Sequence, residues 1–116
     1  MKRLNTFQVG IDSGDVVLFS DFEEGGAMWR GSGPRDRIKK IKFSTEYQEA
    51  PSVTVGLSLW DLDSDTNVRI EITAENITVR GFDLVFRTWG DTRIARARAS
   101  WQAIGSLPHE DDWQLY

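Results

Sequence analysis

The sequence predicts an all-β protein, an antiparallel sandwich or barrel of about six strands. Three stretches, Val53–Leu59, Arg69–Ala74 and Phe82–Trp89, alternate apolar and polar residues with a period of two. Turn-forming Gly, Asp, Asn and Pro recur between such stretches at short spacing. No segment carries a helical period for more than two turns. At 116 residues the chain is expected to form one domain. Residues 1–105 make its body and residues 106–116 a C-terminal extension.

Composition narrows the function. The net charge of -4 gives no electrostatic reason to expect nucleic acid. There is no cysteine, which excludes disulfides and cysteine metal sites. The start, Met1-Lys2-Arg3-Leu4-Asn5, precedes no apolar run, so neither a secretory signal nor a membrane-inserted segment is expected. A soluble protein follows, with the compartment open, secreted and cell-surface locations included. Five tryptophans divide between core and contact surface.

The elements follow in order. Val16 to Phe19 reads as a short buried strand after a turn at Asp12-Ser13-Gly14. Glu23 to Arg37, with Gly25, Gly26, Gly31, Gly33 and Pro34, reads as a long loop in which Met28 and Trp29 plug a gap or an interface. Arg37 to Phe43 alternates but slips at Lys39-Lys40, which predicts a bulge or a late strand start; its lysines suit a solvated, edge-protecting face. Ser52 to Leu59 is a strand with Val53, Val55, Leu57 and Leu59 inward, and Pro51 sits just before it. Asp61 to Asn67 connects it to a strand over Val68–Ala74, with Ile70, Ile72 and Ala74 inward. Gly81 to Trp101 then reads as a hairpin with a turn at Gly90-Asp91-Thr92. Phe82, Leu84 and Phe86 face one way in its first arm; Ala95, Ala97, Ala99 and Trp101 do so in its second. In the tail, Trp113, Leu115 and Tyr116 are apolar enough to dock on the body or on a neighbouring subunit.

Catalytic and metal chemistry find little footing. Asp61, Asp63 and Asp65 imitate the start of a calcium loop, but Thr66 replaces its glycine and Ile72 its final carboxylate. The stretch reads as a strand connection, with no metal or other cofactor. His109 is the only histidine, so a His-based triad has nothing to build on. No two carboxylates share an apolar setting that would raise a pKa. No enzyme is expected. Asn76-Ile77-Thr78 is a formal glycosylation triplet without further support.

Asp21, Arg69 and Trp89 remain, each at or near a strand end on a polar face, with Asn67 on the face of Arg69. A sugar needs such groups: a guanidinium donating to hydroxyl oxygens, a carboxylate accepting from hydroxyls, and an aromatic plane against the C–H face. The bland counterparts are an Asp21–Arg69 surface ion pair and a tryptophan packed under a loop.

The chain resembles the H-type lectins, the domains of snail agglutinins and of the C-terminal half of discoidins. The residues that carry the resemblance are Ser13-Gly14, Ile41-Lys42-Phe43 with Tyr47, PSVTVGLSL at 51–59, Asp61 or Asp63 leading to Asn67-Val68-Arg69, Gly81-Phe82, Trp89-Gly90-Asp91-Thr92, Ser100-Trp101 and Ala103-Ile104. The resemblance implies a six-stranded antiparallel β-sandwich assembling as a trimer, sometimes as a hexamer of two trimers. It implies N-acetylgalactosamine or galactose bound in shallow sites between subunits. Arg69 and Trp89 would contact the sugar, and Asp21 of the neighbouring chain would grip its hydroxyls.

Two departures mark this chain. Gly90 stands where snail members often carry a histidine and offers only backbone; Ala95 stands in place of a tyrosine. Fewer side chains then hold the ligand. Two functions remain open: a multivalent lectin, and a structural trimerisation or attachment module that kept the fold and lost the sugar.

Overall fold

A computed structural model describes residues 1–109. Six strands form two antiparallel three-stranded sheets packed face to face: β1 (Val9–Phe19), β6 (Ile94–Ser106) and β3 (Ser52–Leu62) in one, in the order β1-β6-β3; β2 (Arg35–Lys42), β5 (Gly81–Thr88) and β4 (Ile70–Glu75) in the other, in the order β2-β5-β4. The expected all-β sandwich is what the chain forms. Among the described residues the only helices are two short ones, α1 (Asp21–Glu24) and α2 (Ala27–Arg30).

The core lies between the sheets. Phe82, Leu84 and Phe86 of β5 face the small Ala97, Ala99 and Ala103 of β6, so large rings on one layer meet small side chains on the other. Phe19 meets Phe86 edge-on at 5.3 Å, and Phe82 meets Trp101 at 5.5 Å. Ile70, Ile72 and Ala74 pack inward from β4, as their alternation predicts. The Tyr47 hydroxyl lies 3.1 Å from the Gly10 carbonyl and 3.2 Å from that of Ala103, joining two strands from inside.

Several expectations are corrected. Gly81 to Trp101 is not a hairpin: its arms are β5 and β6, the central strands of opposite sheets. Each arm has one apolar face, and one crossing of the sandwich lets each cover the other; period-2 alternation reports the faces and not the pairing partner. Asp12-Ser13-Gly14 is not a turn but lies within β1, paired to Ala103, Gln102 and Trp101. Asp12 there accepts from the Ser44 amide at 2.7 Å and the Ser44 hydroxyl at 3.1 Å, and also from the adjacent Ser13 amide at 3.0 Å. The 23–37 stretch is not one loop; it holds the end of α1, all of α2 and the start of β2.

β2 has no bulge. Its register with β5 is continuous from Arg35 to Lys42. The slip in the sequence arises because Ile38 faces outward, 53% exposed, while Arg37 faces inward to an internal partner. β2 is nonetheless an edge strand, consistent with its lysines. The irregularity falls in β3 instead: the register shifts between Leu57 and Leu59, so Leu59 pairs with the outward Arg98 and leaves the core. β6 runs from Ile94 through Ser106. Trp113, Leu115 and Tyr116 lie outside the described residues.

Candidate functional site

The turn after β5 organises one end of the sandwich. Gly90 has φ 71°, the left-handed region that a side chain disfavours, and it starts the crossing from one sheet to the other. Thr92 follows, with no exposed surface. Its Oγ1 donates to the Asn67 carbonyl at 2.7 Å and accepts from the Arg69 amide at 3.0 Å. On the other flank the Thr88 hydroxyl donates to the Arg69 carbonyl at 2.6 Å. The Arg69 backbone is therefore held at both its polar groups by threonines that bracket Trp89. The sequence marks Thr92 as a turn residue but neither threonine as a clamp; a β-branched hydroxyl at a strand end is too common to signal one.

Arg69 is exposed, and among the described residues its guanidinium has no hydrogen bond or ion pair, unlike those of Arg35, Arg37, Arg87 and Arg93. Trp89 is 43% exposed. β4 and β5 end their pairing at Ile70 and Thr88, and Arg69 and Trp89 are the next residues beyond that pair, so both leave the same end of the sheet. The structure thus brings Arg69, Trp89, Gly90 and Asn67 together. Asn67 leans on the turn: its side-chain amide donates to Asp91 Oδ1 at 3.3 Å. The Gly90 carbonyl is taken by the Gly33 amide at 2.8 Å, which ties the loop before β2 to the same turn.

Asp21 is placed differently. It opens α1 and is 3% exposed. Oδ2 accepts from the Met28 amide at 2.8 Å and from Arg37 Nη2 at 2.8 Å. Gly26 lies so close that a Cβ there would stand 2.4 Å from the carboxyl carbon. Its ion pair is with Arg37, not Arg69. Within its own chain Asp21 joins the two short helices to β2.

Arg93 is a second anchor that the sequence did not announce. Its guanidinium carbon lies 4.2 Å from the Trp29 ring centre, its Nε donates to the Trp29 carbonyl at 2.9 Å, and Nη1 meets Asp63 at 3.0 Å. It joins α2 to the connection after β3, which starts at Asp63 and not at Asp61 because β3 runs through Leu62. Asp61 is meanwhile paired with Arg96 at 3.3 Å. Among the described residues no group of three or more His, Cys, Asp or Glu side chains is arranged to hold a metal ion, and no helix is long and apolar enough to cross a membrane.

The H-type lectin domain family matches residues 38–104, more than half of the chain. The chain belongs to the H-type lectin domain family. The matched span includes Asn67, Arg69, Trp89 and Gly90 and leaves out Asp21. The recombinant discoidin II of Dictyostelium discoideum has the same fold, with a TM-score of 0.73 and 26% identity over 90% of this chain and 40% of that one. A discoidin-1 polypeptide of the same organism is 36% identical over 78 residues, 66% of this chain and 31% of its own length. The chain thus spans about a third of that discoidin. A protein of Fuscovulum blasticum named ATP synthase subunits region ORF 7 is 54% identical over 115 residues, 99% of both chains. As an H-type lectin domain, this is a carbohydrate-binding module in general terms.

Proposed function

We propose that this domain binds a terminal galactose-type sugar, N-acetylgalactosamine foremost, at sites between neighbouring subunits of a homotrimer or hexamer. The observation that carries the reading is an Arg69 guanidinium with no hydrogen bond or ion pair among the described residues, on a backbone clamped at both its polar groups, at the same sheet end as an exposed Trp89. The clamp fixes where the Arg69 side chain leaves the backbone, and its guanidinium donors are open to hydroxyl or ring oxygens. The Trp89 ring offers its face or edge to the C–H side of the sugar. Asn67 and Gly90 border the site and add polar edges. Asp21 of the adjacent chain belongs to the proposal through Oδ1, since Oδ2 is engaged by Met28 and Arg37.

With Gly90 and Ala95 thinning the site, one site binds weakly, at ~0.1–1 mM. Function then rests on several sites engaging one glycan-bearing surface, where avidity adds ~10²-fold or more. A glycan array with the purified oligomer tests this: galactose-type glycans give signal, and Arg69→Ala abolishes it. Analytical ultracentrifugation reads the assembly, and only monomer at micromolar concentration, the order where weak oligomers dissociate, speaks against it.

The second reading is a trimerisation or attachment module without sugar binding. The burial of Asp21 favours it, because a carboxylate built into its own fold is poorly placed to serve a ligand. A silent array at high oligomer concentration selects this reading.

A further inference from the structure

The outer face of the β2-β5-β4 sheet holds a second set of groups beside Trp89. β2 pairs Arg35 with Thr88 and Asp36 with Arg87; β4 pairs Ile70 with Thr88 and Glu71 with Arg87. Trp89 follows Thr88 at the end of the sheet, where Pro34 precedes β2 and Arg69 precedes β4, and the paired row one residue inside Thr88 reads Asp36, Arg87, Glu71. On the Pro34 side a shallow groove of about 410 Å³ opens between Pro34, Arg35, Asp36, Arg87, Thr88 and Trp89. That is within the size range of small-ligand sites.

The charges in this groove are unequal. Arg87 turns away from Asp36 toward β4: Nη1 meets Glu71 at 3.1 Å and Glu75 at 2.7 Å, and Nη2 meets Glu75 at 3.2 Å. The Arg35 guanidinium is bound by the main-chain carbonyls of Ala27, Met28, Gly33 and Gly90. The charge of Arg87 is thus matched by two carboxylates, and the donors of Arg35 are occupied by carbonyls. Asp36, directly across from Arg87, is exposed, and among the described residues its carboxylate has no hydrogen bond or ion pair. One free carboxylate, two occupied guanidiniums and an indole edge suit a neutral group rich in hydroxyls and repel an anionic one.

We infer that this groove is a second sugar subsite in which Asp36 accepts hydroxyl hydrogen bonds, so that the protein reads a neutral glycan of at least two residues across Trp89. The terminal residue lies on the Arg69 side and the next on the Pro34 side. The inference rests on the lectin reading above and adds a substrate class to it.

Calorimetric titration of the assembled wild-type protein tests it with three probes: methyl β-galactoside, the neutral disaccharide Galβ1-3GalNAc, and that disaccharide sulfated at O6 of its second residue. The neutral disaccharide is expected to bind about tenfold more tightly than the monosaccharide, the scale of one charge-assisted hydrogen bond, and the sulfated form to lose that gain. Asp36→Asn should keep monosaccharide affinity and melting temperature, reduce the disaccharide gain severalfold, and lose the discrimination against sulfate. If the monosaccharide binds but the disaccharide binds no better, or if Asp36→Asn keeps the full gain, the subsite is wrong and the lectin reading survives. If neither neutral sugar binds, the subsite is wrong, and the glycan array with its N-acetylgalactosamine glycans decides the lectin reading separately.

Discussion

Arg37 Nη2 lies 2.8 Å from Asp21 Oδ2, joining an inward-facing arginine of β2 to a carboxylate at the head of α1 whose side chain is only 5% exposed. The same oxygen caps the Met28 amide, and Met28 is fully buried. The carboxylate therefore belongs to the fold before it can belong to a ligand. Asp21→Ala leaves a buried amide without its acceptor and Arg37 without its partner. It should lower unfolding free energy by about 1–3 kcal/mol, with urea denaturation as the measurement. Loss of glycan binding in this variant is informative only under conditions where it is folded. A stability unchanged to within about 0.5 kcal/mol would show that the carboxylate is dispensable to the fold.

Arg69→Ala has the opposite profile. Its backbone bonds to Thr88 and Thr92 survive the substitution, and the guanidinium has no partner among the described residues to lose. Glycan-surface binding should vanish while stability stays within about 0.5 kcal/mol of wild type. Wild-type binding by the variant would place the sugar elsewhere.

Thr92→Val separates the frame from the contact. The shape is nearly kept, but the Arg69 amide and the Asn67 carbonyl lose a buried partner. Stability should fall by about 1–3 kcal/mol, and glycan affinity should fall with it because Arg69 is no longer held. Unchanged affinity in the folded variant would mean that the clamp does not position the guanidinium.

Acid should act on the outer face of the β2-β5-β4 sheet. The hydrogen bond from Arg87, then that from Thr73, holds the Glu75 carboxyl below its ordinary value. Those from Asn76 and Lys40 do the same for Asp83. A carboxylate whose pKa is lower folded than unfolded stabilises the fold above its unfolded value, and that contribution is lost as pH falls through its folded value. Melting temperature should therefore be flat at neutral pH and decline as pH drops below about 4.5, the ordinary value for Glu75. Glu75→Gln should flatten part of that decline; an identical acid limb in the variant would remove Glu75 from the account.

The 61–67 stretch should be indifferent to chelator. Asp61 and Asp63 each meet an arginine, Arg96 and Arg93, at 3.3 and 3.0 Å. EDTA should leave melting temperature and glycan binding unchanged. A fall restored by calcium would overturn the reading of this stretch as a strand connection.

The sequence by itself determined which residues turn inward on β4, β5 and β6, because alternation along one strand is a local property of an extended chain and one solvent-averse face. It also determined the family-bearing Asn67-Val68-Arg69 and Trp89-Gly90 stretches, where short-range order suffices. Only the tertiary structure decided that β5 and β6 belong to opposite sheets, since strand pairing is a long-range choice on which alternation is silent. It decided too that Asp21 meets Arg37, 16 residues away, and that Asp36 is left without a partner among the described residues when Arg87 turns to β4. Charges reach across strands, and which opposite charge comes within reach is set by register and packing rather than by neighbours along the chain.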